Sequence, residues 1–337
     1  MKTTGQPGGR KMRKLMGIFI ILVFAAVIIT PVVIIEGIRL FQPPVQVQTG
    51  KQLVRVYFHQ AGITKIMPLE EYIAGVVAGE MPANFEPEAL KAQAIAARTY
   101  TLKKIEEAKI KPDASHPNAD ICTDPAHCQA WAGDDVLRQR WGLIGFWRYK
   151  NKIQSAVQAT SGMVLTYQGQ LIDPVYHANG GGRTESAAAV WGRDVPYLQS
   201  VPSPWDKTSP RYSDSRTFSL RYLDSKLGVN LEAVPAAALA APGGTAIRVL
   251  EKTPTGRVKT IKIGGKTFAA TDLRKLLGLS STDFTWEVQG DRITFHTIGY
   301  GHGVGMSQYG ANGMAREGKN FAEILAYYYR GTKIENR

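Results

Sequence analysis

Cysteine is almost absent from this chain: 337 residues contain two, Cys122 and Cys128, six apart. That excludes a disulfide-stapled scaffold and leaves room for one local bridge or one thiolate metal site. No low-complexity tract and no internal repeat occurs, which excludes solenoids and extended linker arrays. Glycine-rich turns are present, but no Lys-Ser/Thr follows them, so the chain has no phosphate-cradling P-loop. Acidic residues in a distinctive setting are also scarce, and the chain offers one, Glu80.

What is present is the composition of a globular protein, 44% apolar and 20% charged, long enough for one large domain or two ordinary ones. Of the net charge of +13, Lys2, Arg10, Lys11, Arg13 and Lys14 supply five, leaving +8 for the remainder. A basic remainder suits an anionic partner such as a wall polymer, a membrane face or nucleic acid. The next 21 residues, Leu15 to Ile35, carry no charge and are mostly Ile, Leu, Val, Phe and Ala. Such a run is long enough to cross a bilayer. It ends in Ile-Ile-Thr-Pro-Val-Val-Ile-Ile rather than an Ala-x-Ala-like site, which favours an uncleaved single-pass anchor over a signal peptide or a core helix. The preceding cations keep the N-terminus cytoplasmic. Everything after the anchor then works outside the cytoplasm, which argues against nucleic acid as a partner.

The predicted organisation is a cytoplasmic tail (1–14), the anchor (15–35), a linker (36–50), a main domain (51–212 with 286–337) and a smaller inserted subdomain (213–285). The class is α+β: helices and β-hairpins, a small α+β insertion, and a groove between the two parts. Leu53–Phe58 and Ile63–Met67 alternate as a hairpin around Gln60-Ala-Gly62. Pro68 opens a helix with Glu70 and Glu71 in its first turn, and Pro82 stops it, placing Glu80 at its end. A second helix is expected from about Pro87 to Lys104, and Met163–Tyr167 with Leu171–His177 as another hairpin. Asn320 and Glu323 form a capping box for a closing helix.

Glu80 lies in Gly79-Glu80-Met81-Pro82, just before the small-residue run Lys91-Ala-Gln-Ala-Ile-Ala-Ala-Arg98-Thr-Tyr100. Lys91 and Arg98, seven apart, share a helix face. A lone carboxylate beside cations and apolar surface suits acid chemistry on a sugar bond or a buried ion pair, and spacing alone favours the ion pair. His116, Cys122, His127 and Cys128 can make a tetrahedral Zn²⁺ site or flank a disulfide, and spacing leaves both open. Tyr176-His177-Ala-Asn-Gly-Gly-Gly-Arg183-Thr-Glu-Ser186 reads by itself as a tight turn. Tyr300-Gly-His302-Gly-Val-Gly-Met-Ser307-Gln308-Tyr309-Gly310 reads as a loop presenting polar side chains to a sugar.

Glu-Met-Pro with the Lys-Ala-Gln-Ala-Ile-Ala-Ala-Arg-Thr-Tyr run, the glycine turn with Arg-Thr-Glu, Val190-Trp191-Gly192, Tyr197-Leu198 and Gly-Tyr-Gly-His-Gly-Val-Gly-Met-Ser-Gln-Tyr-Gly occur in order. From about residue 50 to 334 this pattern resembles the stage II sporulation protein D family. The resemblance implies a membrane-anchored peptidoglycan lytic transglycosylase required for engulfment during endospore formation. Such an enzyme cleaves MurNAc–GlcNAc bonds of glycan stripped of stem peptides and leaves 1,6-anhydroMurNAc ends. It implies Glu80 as the single acid and then base, Lys91 and Arg98 holding the glycan, and Tyr197, His302, Ser307 and Gln308 lining its groove. It further implies structural zinc on His116, Cys122 and Cys128, with His127 nearby, and none needed for the chemistry. The implied partners are stage II sporulation proteins P and M, and the location is the mother-cell membrane facing the forespore. Two other readings compete: a non-catalytic glycan-binding activator of an amidase, and a zinc hydrolase built on the 116–128 cluster.

Overall fold

The computed structural model describes residues 52–337 except 117 and 240–243, with residues 16 and 24 beside them. The anchor expected at 15–35 therefore lies outside the described residues, apart from those two positions. Among the described residues no helix is long and apolar enough to cross a membrane.

The fold is mixed α+β. Strands Leu53–Phe58 and Ile63–Pro68 pair as the expected hairpin, and a two-residue strand, Ile121–Cys122, adds in parallel to the first. Helix Leu69–Glu80 starts directly after Pro68 and ends where Met81, ahead of Pro82, turns to extended geometry (φ −112°, ψ 145°). Helix Pro87–Ile110 runs six residues past the expected end. Its middle, Ala92, Ala94, Ile95, Ala96 and Ala97, is fully buried. Small side chains let neighbouring elements approach closely. Helix Leu69–Glu80, helix Asp134–Ala159 and strand Met163–Tyr167 all pack against it.

The second expected hairpin forms only in part. Met163–Tyr167 pairs with Gln170–Leu171 and with the C-terminal strand Lys333–Asn336. Tyr176–His177 instead pairs in parallel with Met306–Ser307, which brings the two glycine-rich loops together. The reason is covalent: Pro174 cannot donate to a ladder, so the chain leaves its hairpin partner before Tyr176.

A second apolar core gathers Leu220, Leu223, Leu227, Ile261, Leu273, Phe284, Ile293 and Phe295. Two three-stranded sheets surround it. One is Ile247–Lys252, Val258–Ile263 and Lys266–Ala269; the other pairs Ser213–Ser219 and Phe284–Gln289 on either side of Arg292–Ile298. The division drawn from sequence at 285/286 falls inside Phe284–Gln289. That strand and its hairpin partner Arg292–Ile298 both feed the second core, because Arg292–Ile298 pairs along its whole length with Ser213–Ser219. The closing helix Phe321–Tyr328 carries the expected capping box from Asn320 and Glu323.

Candidate active site

Glu80 sits on the last turn of its helix, and the sequence around it explains what it meets. Gly75 and Gly79 face the segment Ala130–Trp131. A Cβ at Gly75 would lie 2.1 Å from the Trp131 indole, and one at Gly79 about 3.0 Å from the Ala130 backbone. Only glycine permits this approach. Ala132 N–H donates to Gly75 O at 3.0 Å, locking the segment to the helix, and Ala130 N–H reaches Glu80 Oε1 at 2.7 Å. The Gln308 side-chain amide lies near enough to the same carboxyl group to favour its charged form.

No cation forms an ion pair with Glu80 among the described residues. Burial is the largest influence on its pKa and raises it; the bonds from Ala130 and Gln308 work the other way without cancelling it. The side chain nonetheless keeps some contact with solvent. The result is a carboxyl that holds its proton to higher pH than an ordinary glutamate and lies within reach of a ligand.

Around it runs a set of buried amides that the spacing argument missed. Gln308 Nε2 lies 3.5 Å from Gln93 Oε1, and Gln93 Nε2 is buried with no partner among the described residues. Tyr176 donates its hydroxyl to Gln129 Oε1 at 2.9 Å, one residue before Ala130, and Gln129 donates to Thr101 at 3.1 Å. Gln93 lies inside the run Lys91–Tyr100, where a lone glutamine among small apolar residues is the signal in the sequence, and it is fully buried.

The two glycine-rich loops are braced from behind. Asp206 accepts from Gly180 N–H at 2.8 Å and Gly182 N–H at 3.2 Å, from Ser203 Oγ at 2.9 Å, and from Ser307 Oγ. Glu185 accepts from Thr253 at 2.9 Å and from Thr255, with Arg257 Nε 3.4 Å away. Arg257 also donates to Gly180 O and Arg183 O. In the second loop, Val304 N–H donates to His302 Nδ1 at 3.1 Å, so the neutral ring carries its proton on Nε2 and donates it to Tyr176 O at 3.0 Å. Burial pushes the His302 pKa down to about 4, which keeps the ring neutral.

The His/Cys cluster is compact. One ligand atom from each of His116, Cys122, His127 and Cys128 lies within 4.8 Å of all the others, and both cysteines are free. His127 Nδ1 is 3.5 Å from Cys122 Sγ and 3.4 Å from Cys128 Sγ, while His116 Nε2 is 3.8 Å from Cys128 Sγ. Two thiols and two imidazoles at such separations fit the corners of a tetrahedral ion site. The contact between the two sulfurs lowers the Cys122 thiol pKa and raises that of Cys128, so on its own the pair favours one thiolate, at Cys122.

The chain as a whole is similar to known proteins. The chain matches the family described as "Stage II sporulation protein" (SpoIID) over residues 57–167. It is 44% identical to stage II sporulation protein D of Bacillus subtilis over 269 residues, 80% of this chain and 74% of that protein. The chain belongs to the stage II sporulation protein D family. A second member, from Bacillus amyloliquefaciens, is 43% identical over the same extent. A more distant similarity, 28% over 310 residues, links it to a B. subtilis protein named amidase enhancer, of which the match covers 40%.

Within this sporulation family chain, the residues picked from sequence separate into two groups. Glu80 and Gln308 meet, as described. Lys91 is occupied by Glu88, with Nζ and Oε1 2.7 Å apart, and lies over the Phe321 ring. Arg98 is wholly buried and donates to both Glu70 oxygens (2.8 and 2.6 Å) and to the carbonyls of Met163 and Val157. Neither cation is brought to Glu80. Two helix turns separate them, so each meets its own neighbours despite the shared face. Ser307 is buried as the N-cap of helix Gln308–Arg316 and as the partner of Asp206. Tyr197 accepts from Asp173 N–H at 3.1 Å and packs on Tyr167, and no contact joins it to Glu80. His302 packs on Trp191 and lines a small cavity with Arg274 and Lys275.

Proposed function

We propose that this chain is a peptidoglycan lytic transglycosylase, with Glu80 as its one acid/base group. The observation that carries the reading is the setting of Glu80: a partly solvent-reachable carboxyl whose pKa is raised by burial, with amide donors and no cation beside it. Glycosidic cleavage begins with proton donation to the leaving oxygen, so an acid still protonated near neutral pH is required. Glu80 then returns as base toward the sugar's own C6 hydroxyl, closing the 1,6-anhydro ring without an activated water. No second carboxylate is needed for that sequence. Gln308 and Ala130 N–H orient the carboxyl group.

The substrate on this reading is glycan stripped of stem peptides. The reaction serves engulfment during endospore formation, beside stage II sporulation proteins P and M. The uncharged run at 15–35 would anchor the chain in the mother-cell membrane, with its catalytic part outside the cytoplasm. His116, Cys122, His127 and Cys128 would hold a zinc ion, which would cross-link the loop after helix Pro87–Ile110. With four donors supplied by protein, that site has a structural role, because no position is left for a reacting water.

The test is incubation of the chain with amidase-treated peptidoglycan, followed by mass spectrometry. Anhydro ends that disappear in Glu80→Gln are expected; intact strands with the wild-type chain would sink the reading. The similarity to a protein named amidase enhancer supports a second reading, a non-catalytic activator of an amidase. On that reading Glu80→Gln keeps both glycan binding and stimulation of the amidase.

A further inference from the structure

A cavity of about 530 Å³ lies where strand Ser213–Ser219 and the end of helix Ala270–Leu277 face Arg211 and Tyr300. Four cations line it: Arg211, Arg216, Arg274 and Lys275, against one carboxylate, Asp214. That carboxylate is already engaged, accepting from Ser280 Oγ at 2.7 Å and lying 3.8 Å from Arg216 Nε.

Arg274 is the informative member. It is partly buried, and its Nε donates to Ser280 O at 3.2 Å, yet no carboxylate pairs with it among the described residues. Burial is the largest influence on its pKa and disfavours its charge; Tyr300 works the other way and the neighbouring Arg257 adds to the burial effect. A desolvated guanidinium without an anion is a costly arrangement, and bringing one to it recovers charge-assisted hydrogen bonds. Arg216 points into the same space past Gly278, where a Cβ would lie 2.9 Å from Arg216 Nη1. Gly278 closes its helix at φ +63°, a turn that favours glycine. Arg211 lies over the Tyr300 ring, with Cζ 5.0 Å from its centroid, which holds its guanidinium at the cavity wall.

We infer that this cavity is a carboxylate subsite for a glycan strand, receiving the lactyl acid group of a muramic sugar. The inference rests on the glycan reading above, and the structure supplies its reason: Lys91 and Arg98 are already neutralised by Glu88 and Glu70, whereas Arg274 has no carboxylate partner among the described residues and the four cations share only Asp214. Neither Glu80 nor its amide partners line the cavity. A stripped strand carries one carboxylate per disaccharide, so holding one sugar at a distance sets the register of the bond presented for cleavage. Arg274 and Lys275 also line the smaller cavity that holds Trp191 and His302, about 150 Å³, offering an apolar ring and a neutral imidazole beside the cations.

The experiment measures binding of the full chain in detergent, carrying Glu80→Gln so that strands stay intact. The ligands are amidase-stripped glycan and the same strands with their carboxylates converted to amides. Arg274→Gln and Arg216→Gln should each weaken binding of the stripped strands by roughly ten- to a hundredfold. Both should leave binding of the amidated strands unchanged. Arg216 is half exposed, so its replacement reports even if Arg274→Gln disturbs the fold. Unchanged affinity in both variants, or equal weakening toward both ligands, overturns the subsite while the glycan reading stands. Failure of the parent chain to bind either strand overturns the glycan reading and the subsite with it.

Discussion

At Glu80 a carboxyl group meets the Ala130 N–H, the Gln308 amide and no cation; at Glu185 a fully buried carboxylate meets two threonine hydroxyls and the guanidinium of Arg257. Both are glutamates withdrawn from water, in motifs of similar prominence. The difference lies in the compensation. Arg257 supplies Glu185 with a full positive charge and ties it to Gly180 O and Arg183 O, so that pair braces a glycine-rich loop. Glu80 receives only dipoles, which orient the group without stabilising its charge enough to offset burial. A carboxyl treated in that way gives up its proton at higher pH than usual, and its energetic cost is tolerated where the proton is used.

The sharpest way to break this comparison is Glu80→Gln. It should reduce anhydro-end formation by about 10²–10⁴-fold, the usual contribution of a positioned acid, with little change in melting temperature. A melting temperature that collapsed instead would make Glu80 a bracing residue like Glu185. Next in size is Arg257→Met. Removing one partner of a buried pair leaves an uncompensated charge and typically costs about 3–5 kcal/mol, read as a lower urea midpoint. Adding Glu185→Leu to that variant should recover part of the loss. No recovery would mean that Arg257 acts through the loop carbonyls alone.

Chelation should come third. Stripping metal from the His116–Cys128 cluster is expected to lower the melting temperature while cleavage persists at reduced temperature. Abolished turnover in a chain that is still folded would favour the zinc-hydrolase reading. A smaller effect concerns pH. Burial raises the Glu80 pKa, so the folded chain keeps a proton that the unfolded chain has lost. Stability therefore falls as pH climbs from the ordinary glutamate value through the raised one, and is level beyond it. Urea midpoints across that range should show this fall in the wild type and not in Glu80→Gln. Least of all, Lys91→Ala removes a partly exposed pair worth about 0–1 kcal/mol and should leave glycan affinity unchanged. A large loss of affinity would restore Lys91 to the binding surface.

Local punctuation was legible in the chain. Pro68, Pro82 and Pro87 set helix limits through fixed φ and a missing donor, and Asn320 with Glu323 marked a helix start. The first hairpin followed from alternation. The strand Tyr176–His177 was misassigned because its partner, Met306–Ser307, lies about 130 residues away and periodicity carries no address. Arg98 misled in the same way: its helix face was right, but Glu70, 28 residues earlier, had taken the charge.

By itself the sequence determined the family, the α+β class, and which glutamate and which His/Cys cluster to examine, because these rest on residue identities and short spacings. Only the tertiary structure decided that Glu80 has amides rather than cations for company. Gln308 and Ala130 reach it through packing across more than 200 and 50 residues, respectively, and a pKa follows from such neighbours rather than from local order.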